Sequence, residues 1–67
     1  MDLGGQIKNQ RISSKLSQND LRDKLGLKSV QTICNWEKNT SSPSIDMLTK
    51  MHELLGFEFI FKFSNVK

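Results

Sequence analysis

Four neighbouring side chains, Val30, Gln31, Thr32 and Asn35, carry the clearest chemistry in a chain of 67 residues. Gln31 and Asn35 are primary amides, each with a donor and an acceptor side by side. That arrangement matches the N6 donor and N7 acceptor of adenine, so one amide can bond both atoms of a base edge. Val30 and the Thr32 methyl suit the methyl group of thymine. No arginine in this run offers a bidentate grip on guanine, so the expected target leans towards A·T pairs. Elsewhere the sequence pairs no nucleophile with a base and holds no glycine-rich phosphate loop. His52 has no second histidine or acid at metal spacing. The expectation is a protein that is not an enzyme and uses no metal or cofactor. The single Cys34 excludes an internal disulfide and a cysteine-rich zinc site. With no second cysteine to resolve an oxidised one, it reads as a packing residue.

These side chains act together only if a helix presents them on one side. Leu21 and Leu25 stand one helical turn apart, and Gly26 follows at a helix-stopping position. A second helical pattern begins after Ser29 and runs from about Val30 to Lys38, with Ile33 and Trp36 turned inward. Helix, glycine turn, helix is the plan in which the second helix enters a DNA major groove. Ser17 is an N-cap for the helix before the turn, with Asp20 complementing its dipole. Residues 3–14 read as an earlier helix with Leu3 and Ile7 on one stripe. Gly4 and Gly5 weaken its start by ~1 kcal/mol each against alanine, so fraying is expected there. After a polar loop closed by Pro43, Ser44 caps a fourth helix, about Ile45 to Leu55. Its apolar face is Ile45, Leu48, Met51, Leu54 and Leu55, and Gly56 ends it.

Leu16-Ser17-Gln18, Leu21, Leu25-Gly26, Thr32-Ile33 and Trp36-Glu37, with Arg11 upstream, resemble the lambda-repressor-like (Cro/C1, or Xre) helix-turn-helix family. Its signature is roughly L-S-Q-x-x-L-A-x-x-L-G followed by T-I-x-x-W-E. The resemblance spans about residues 3–57 and implies specific roles. Val30, Gln31, Thr32 and Asn35 fall on the base-reading positions. Gln18 falls where the family clamps a DNA phosphate, against the plainer reading of a helix-start glutamine. Ser29, Lys38, Asn39, Thr40 and Ser41 would donate to further phosphates. Arg11 is either a solvated charge or, as the family has it, the partner of Glu37. Trp36 is a core residue, or its indole N–H meets a phosphate. Two positions depart from the pattern. Arg22 stands where the family prefers alanine between closely packed helices, and the turn from Gly26 to Ile33 is one residue longer than the commonest spacing.

The tail, residues 57–63, is the second informative stretch. Phe57, Phe59, Phe61 and Phe63 alternate with Glu58, Ile60 and Lys62, the period of a strand with four rings on one face. No other segment looks like a strand, and a lone exposed aromatic strand invites aggregation. A second copy removes the problem: a two-fold axis at Ile60 sets Glu58 against the partner's Lys62. Burial of each phenylalanine is worth ~1.5–3 kcal/mol, which favours association. The alternative is a fifth short helix. By architecture and position alone, a helical domain with a dimerising C-terminal strand resembles the HipB-type antitoxins, which repress their own operon and hold a kinase-like toxin.

A chain this short buries about 60% of its unfolded surface, so it is marginal alone. Ten Lys and Arg against seven Asp and Glu give a net charge of +3 and a pI near 9.3, which permits nucleic-acid binding without requiring it. The N-terminal stretch has no apolar leader, and no segment approaches a membrane span. The expected setting is a reduced bacterial cytoplasm, of chromosomal or phage origin, at the nucleoid. The sequence thus predicts a mainly α fold: a four-helix lambda-repressor-like domain over residues 3–56, then a strand over 57–63 that pairs across a homodimer. The expected function is a sequence-specific repressor on a two-fold-symmetric double-stranded operator, with half-sites about 34–36 Å apart or a multiple of that. In the antitoxin form it also binds a kinase-like toxin. The alternatives are a stand-alone phage-type or chromosomal regulator, or a protein-interaction module that has lost base reading.

Overall fold

The structure is a computed structural model and describes residues 2–59. Four helices follow one another: α1 Leu3–Ser13, α2 Gln18–Leu25, α3 Val30–Glu37 and α4 Ile45–Leu55. Each begins on a side chain that accepts an otherwise unpaired backbone N–H. Asp2 takes Gly5, Ser17 takes Asp20, Ser29 takes Gln31 and Ser44 takes Met47. At α2 the arrangement is reciprocal, because the Asp20 carboxylate accepts the Ser17 N–H at 3.0 Å. Such a capping box satisfies two orphan donors at once.

The first three helices end alike. A residue in the left-handed region follows each, and the next N–H reaches back into the last turn: Leu16 to the Arg11 carbonyl, Leu27 to that of Arg22, Thr40 to that of Asn35, each at 3.0 Å. This is the Schellman arrangement. At α4 the Gly56 N–H bonds the His52 carbonyl at 2.9 Å, and the Phe57 N–H reaches the Met51 carbonyl, one residue further back, at 3.4 Å. Two of the four left-handed residues among those described are not glycine: Lys15 at φ 61° and Asn39 at φ 63°. For Lys15, whose side chain is exposed, this conformation costs about 1–2 kcal/mol that glycine would not incur. Part of the gain is lost to the freer unfolded chain. Lys15→Gly should therefore stabilise the fold by about 0.5–1 kcal/mol and raise the melting temperature by roughly 2–8 °C. Thermal denaturation followed by circular dichroism measures it, and an unchanged or lower midpoint would show that the lysine side chain contributes packing.

The core is a single cluster of Ile7, Leu21, Leu25, Ile33, Trp36, Leu48, Met51 and Phe57. Both α1 and α2 pack on α3, and α2 also meets α4. Phe57, assigned to the tail from sequence, is 1% exposed and belongs to the core of its own chain. The apolar face expected on α4 is narrower than five residues. Leu48 and Met51 are buried and Leu55 is half-buried, but Ile45 and Leu54 are 75% and 58% exposed. The reason is helical phase. Residues three apart drift by about 60° each step, so a run stepping from 45 to 54 by threes ends on the opposite side. Only its middle faces the core.

Gly4 is not simply a weak helix start. It is buried where α1 crosses the end of α3, and a Cβ there would lie 2.4 Å from the Trp36 carbonyl oxygen and 2.7 Å from that of Glu37. Its N–H donates to Asn39 Oδ1 at 3.0 Å, while Asn39 Nδ2 donates to Asp2 Oδ1 at 2.7 Å. The start of α1 is thus capped twice, once locally and once from the loop after α3. Asn39, and next the Gly5 N–H, hold the Asp2 carboxyl below its ordinary pKa. The Ser17 backbone N–H, then its hydroxyl, does the same for Asp20. Folded values below unfolded ones mean that both caps contribute fully above the ordinary carboxylate range. They are lost as pH falls through the lowered values.

Both departures from the family pattern are absorbed. Arg22 folds sideways onto its neighbour, its Nη2 donating to Asp23 Oδ1 at 2.7 Å, and the buried residues of α2 are Leu21 and Leu25. In the longer turn Leu27 packs against the core and Lys28 is exposed. No strand occurs among the described residues. Phe57 is buried, Glu58 exposed and Phe59 half-buried, so the in-out alternation holds as far as it can be followed. The remainder of the expected dimerisation strand, Ile60, Phe61, Lys62 and Phe63, lies outside the described residues.

Candidate nucleic-acid interface

The presentation of α3 follows from its own periodicity. Ile33 and Trp36 are buried at 0% and 6% exposure, which leaves Val30, Gln31, Thr32 and Asn35 off the core-facing side. Gln31 is exposed, and Val30, Thr32 and Asn35 are half-buried along the same helix. The two amides are bonded to each other, Gln31 Nε2 donating to Asn35 Oδ1 at 3.0 Å. One bond leaves Gln31 with its oxygen and a second N–H free, and these are the two groups an adenine edge requires.

Beneath this surface an ion pair and a glutamine tie three helices together. Arg11 Nε on α1 meets Glu37 Oε2 at the end of α3 at 2.7 Å, with the two side chains only 12% and 6% exposed. Arg11 Nη1 also donates to the Leu16 carbonyl at 2.9 Å. Of the two readings of Arg11, the paired one holds. Gln18, at the first position of α2, completes the network. Its Nε2 donates to Glu37 Oε1 at 3.0 Å, and its Oε1 accepts from Cys34 Sγ at 3.2 Å. The side chain expected to face a phosphate is therefore turned towards α3, with one amide N–H still unassigned. Sequence reasoning missed the Cys34 contact, because a thiol in the middle of a helix carries no signal of its partner.

The loop after α3 also divides. Asn39 spends its side chain on α1, and Thr40 Oγ1 donates to the Asn35 carbonyl at 3.1 Å. Lys38 and Ser41 remain exposed. Ser29 keeps its place as the cap of α3, accepting from the Gln31 N–H at 3.1 Å. At the other end of α3, Lys28 is exposed and engages no ion pair or hydrogen bond among the described residues. The extra residue of the turn was the available signal for it. Lysines at residues 28 and 38 thus flank an eight-residue helix, about 12 Å long at 1.5 Å per residue. That is close to the width of a major groove. The only acid on α3, Glu37, is already neutralised by Arg11.

An amide-bearing helix packed on α1 and α2, with a lysine just beyond each end, defines the class as a helix-turn-helix DNA-binding module. The helix-turn-helix family model matches residues 7–61. The chain belongs to the lambda-repressor-like (Cro/C1-type) helix-turn-helix family of DNA-binding transcription regulators. No curated protein and no solved structure matches it. Among the described residues no helix is long and apolar enough to cross a membrane, and no group of three potential metal ligands occurs.

Proposed function

We propose that the chain is a sequence-specific repressor that binds a two-fold-symmetric operator as a homodimer and regulates its own operon. The observation that carries base reading is the Gln31–Asn35 pair on the outward face of α3. An amide pinned at one N–H keeps a donor and an acceptor in a fixed order, which favours adenine over guanine. Lys28, Lys38 and the free N–H of Gln18 supply phosphate contacts that position the helix without reading sequence. The homodimer rests on the alternation that begins at Phe57 and continues through Phe63. The same aromatic tail supports a HipB-like antitoxin role, with a kinase-like toxin as second protein partner. No catalytic step is part of this reading.

The test is a titration of the DNA upstream of the gene against scrambled DNA of equal length, at two salt concentrations. Tight binding to the upstream fragment that survives higher salt supports the repressor. Weak binding to both, erased by salt, indicates counterion release alone and overturns it. Gln31→Ala should cost roughly 1–3 kcal/mol on the upstream fragment and little on scrambled DNA. Lys28→Ala, run beside it, should weaken both equally and lower the salt slope by about 0.9. An equal loss on both DNAs for Gln31→Ala would remove that residue from base reading.

A further inference from the structure

We infer that the Lys15 ammonium is a further contact to the DNA backbone, and that this contact is the counterpart of the stability a glycine would give at the same position. The inference rests on the DNA-binding reading above and adds a residue to it. Lys15 stands at φ 61° in the turn that closes α1, where its N–H bonds the Ile12 carbonyl at 2.9 Å. In that region a Cβ crowds the following carbonyl oxygen, which is why glycine is the usual occupant. Nothing within the fold offsets the strain. The side chain is exposed and engages no ion pair or hydrogen bond among the described residues. A strained residue without an internal partner directs attention to a role outside the fold.

The place of the turn names the partner. The next residue, Leu16, gives its carbonyl to Arg11 Nη1 at 2.9 Å. Arg11 Nε bonds Glu37 Oε2 at 2.7 Å, and Lys38 follows Glu37 directly. Two hydrogen bonds through one arginine thus join the turn at Lys15 to the end of α3 at Lys38. Gln18 is bonded to both Glu37 and Cys34 of α3. It lies three residues after Lys15, and three residues of chain span at most about 11 Å. Lys15, Gln18 and Lys38 therefore border the same end of the amide-bearing helix. The acids near them are already engaged. Glu37 holds Arg11 and Gln18, and the Asp20 carboxylate accepts the Ser17 N–H at 3.0 Å. A free cation beside that end meets the phosphates that flank the groove, where it adds affinity without reading sequence.

Titration of the upstream fragment and of scrambled DNA with the full chain, over a range of salt concentrations, tests this. The variants are Lys15→Gln, which keeps the strained backbone and drops the charge, Lys15→Gly, which drops both, and Lys15→Arg, which keeps both. Lys15→Gln and Lys15→Gly should each bind both DNAs roughly five- to tenfold more weakly per protomer near 0.1 M salt and lower the salt slope by about 0.9. Lys15→Gly should do so with a raised melting temperature, so a loss of fold does not explain its weaker binding. Lys15→Arg should retain the full slope. Lys8→Gln removes one exposed lysine from α1 and matches the change in net charge, and its slope should stay within about 0.2 of the unsubstituted value. An unchanged slope for Lys15→Gln and Lys15→Gly overturns the contact and leaves DNA binding standing. The same loss for Lys8→Gln assigns the effect to net charge and overturns the contact as well. Equal binding of the unsubstituted protein to both DNAs overturns base reading, while the slopes still decide Lys15. A protein that binds neither DNA overturns the DNA-binding reading, and the contact with it.

Discussion

Gly4→Ala should destabilise the domain by about 3 kcal/mol and lower its melting temperature by roughly 12–24 °C. Helix propensity alone predicts the reverse, a gain of ~1 kcal/mol for alanine over glycine inside a helix. The sign is decided by what the new methyl group meets. A Cβ at residue 4 would sit 2.4 Å from one main-chain carbonyl oxygen and 2.7 Å from the next. Neither neighbour can turn away as a side chain could, so α1 must lift from the end of α3. That movement also breaks the bond from the Gly4 N–H to Asn39 Oδ1, 3.0 Å long in the structure. Domains under about 70 residues rarely have more than 3–5 kcal/mol in total, so the variant should be largely unfolded at moderate temperature. Gly5→Ala is the control. Its Cβ would meet the Asp2 carboxylate at 2.5 Å, the far end of an exposed side chain that can move, at the expense of one cap. Thermal denaturation of both variants separates the readings. A Gly4→Ala midpoint equal to or above the unsubstituted value would mean that the crossing of α1 and α3 is looser than 2.4 Å implies.

The local rules account for how much of this fold was legible. Caps and stops are short-range chemistry, so Ser17, Ser29, Ser44, Gly26 and Gly56 marked helix ends correctly from sequence. Lys15 and Asn39 did not, because a left-handed lysine or asparagine differs from an ordinary one only in its φ angle. The apolar spacing named Leu21, Leu25, Ile33 and Trp36 as core. It overreached on α4, where a stripe stepping by three leaves the buried face at both ends. Close approach is invisible in a single sequence. Gly4 looked like a defect because nothing local says that another helix passes over it.

The outward face of α3 was legible to a similar depth. Which side of α3 faces outward follows from its period. Which polar groups remain available does not, because that depends on partners distant in sequence. Asn39 and Thr40 looked like free donors in a polar loop, yet they are committed to Gly4, Asp2 and the Asn35 carbonyl. Lys28 attracted no notice because an exposed lysine in a turn is unremarkable until its neighbours are counted. Its place beside the first turn of α3 gives it weight, together with the engagement of so many other donors.

Glu37→Ala should cost about 3–5 kcal/mol, enough to unfold most of the protein at ambient temperature. The Glu37 side chain is 6% exposed, and its carboxylate receives Arg11 Nε at 2.7 Å and Gln18 Nε2 at 3.0 Å. Removing it leaves an arginine side chain that is 12% exposed with the Leu16 carbonyl as its remaining partner. The penalty is the stranded charge rather than the worth of the pair, and this difference is testable. Arg11→Ala should be damaging for the mirror-image reason, and the double alanine variant should cost less than the two singles added, by about 1–3 kcal/mol. Arg11→Met combined with Glu37→Leu goes further. It replaces both charges with apolar groups of similar length and should recover stability to within about 1 kcal/mol of the original. Strict additivity in urea denaturation would mean that the two side chains do not depend on each other. The apolar double variant also separates fold from function. It keeps α1 against α3, but Gln18 loses the carboxylate that fixes its amide between Glu37 and Cys34. Its affinity should fall by a similar factor on operator and scrambled DNA, as expected of a group that positions α3 rather than one that reads a base.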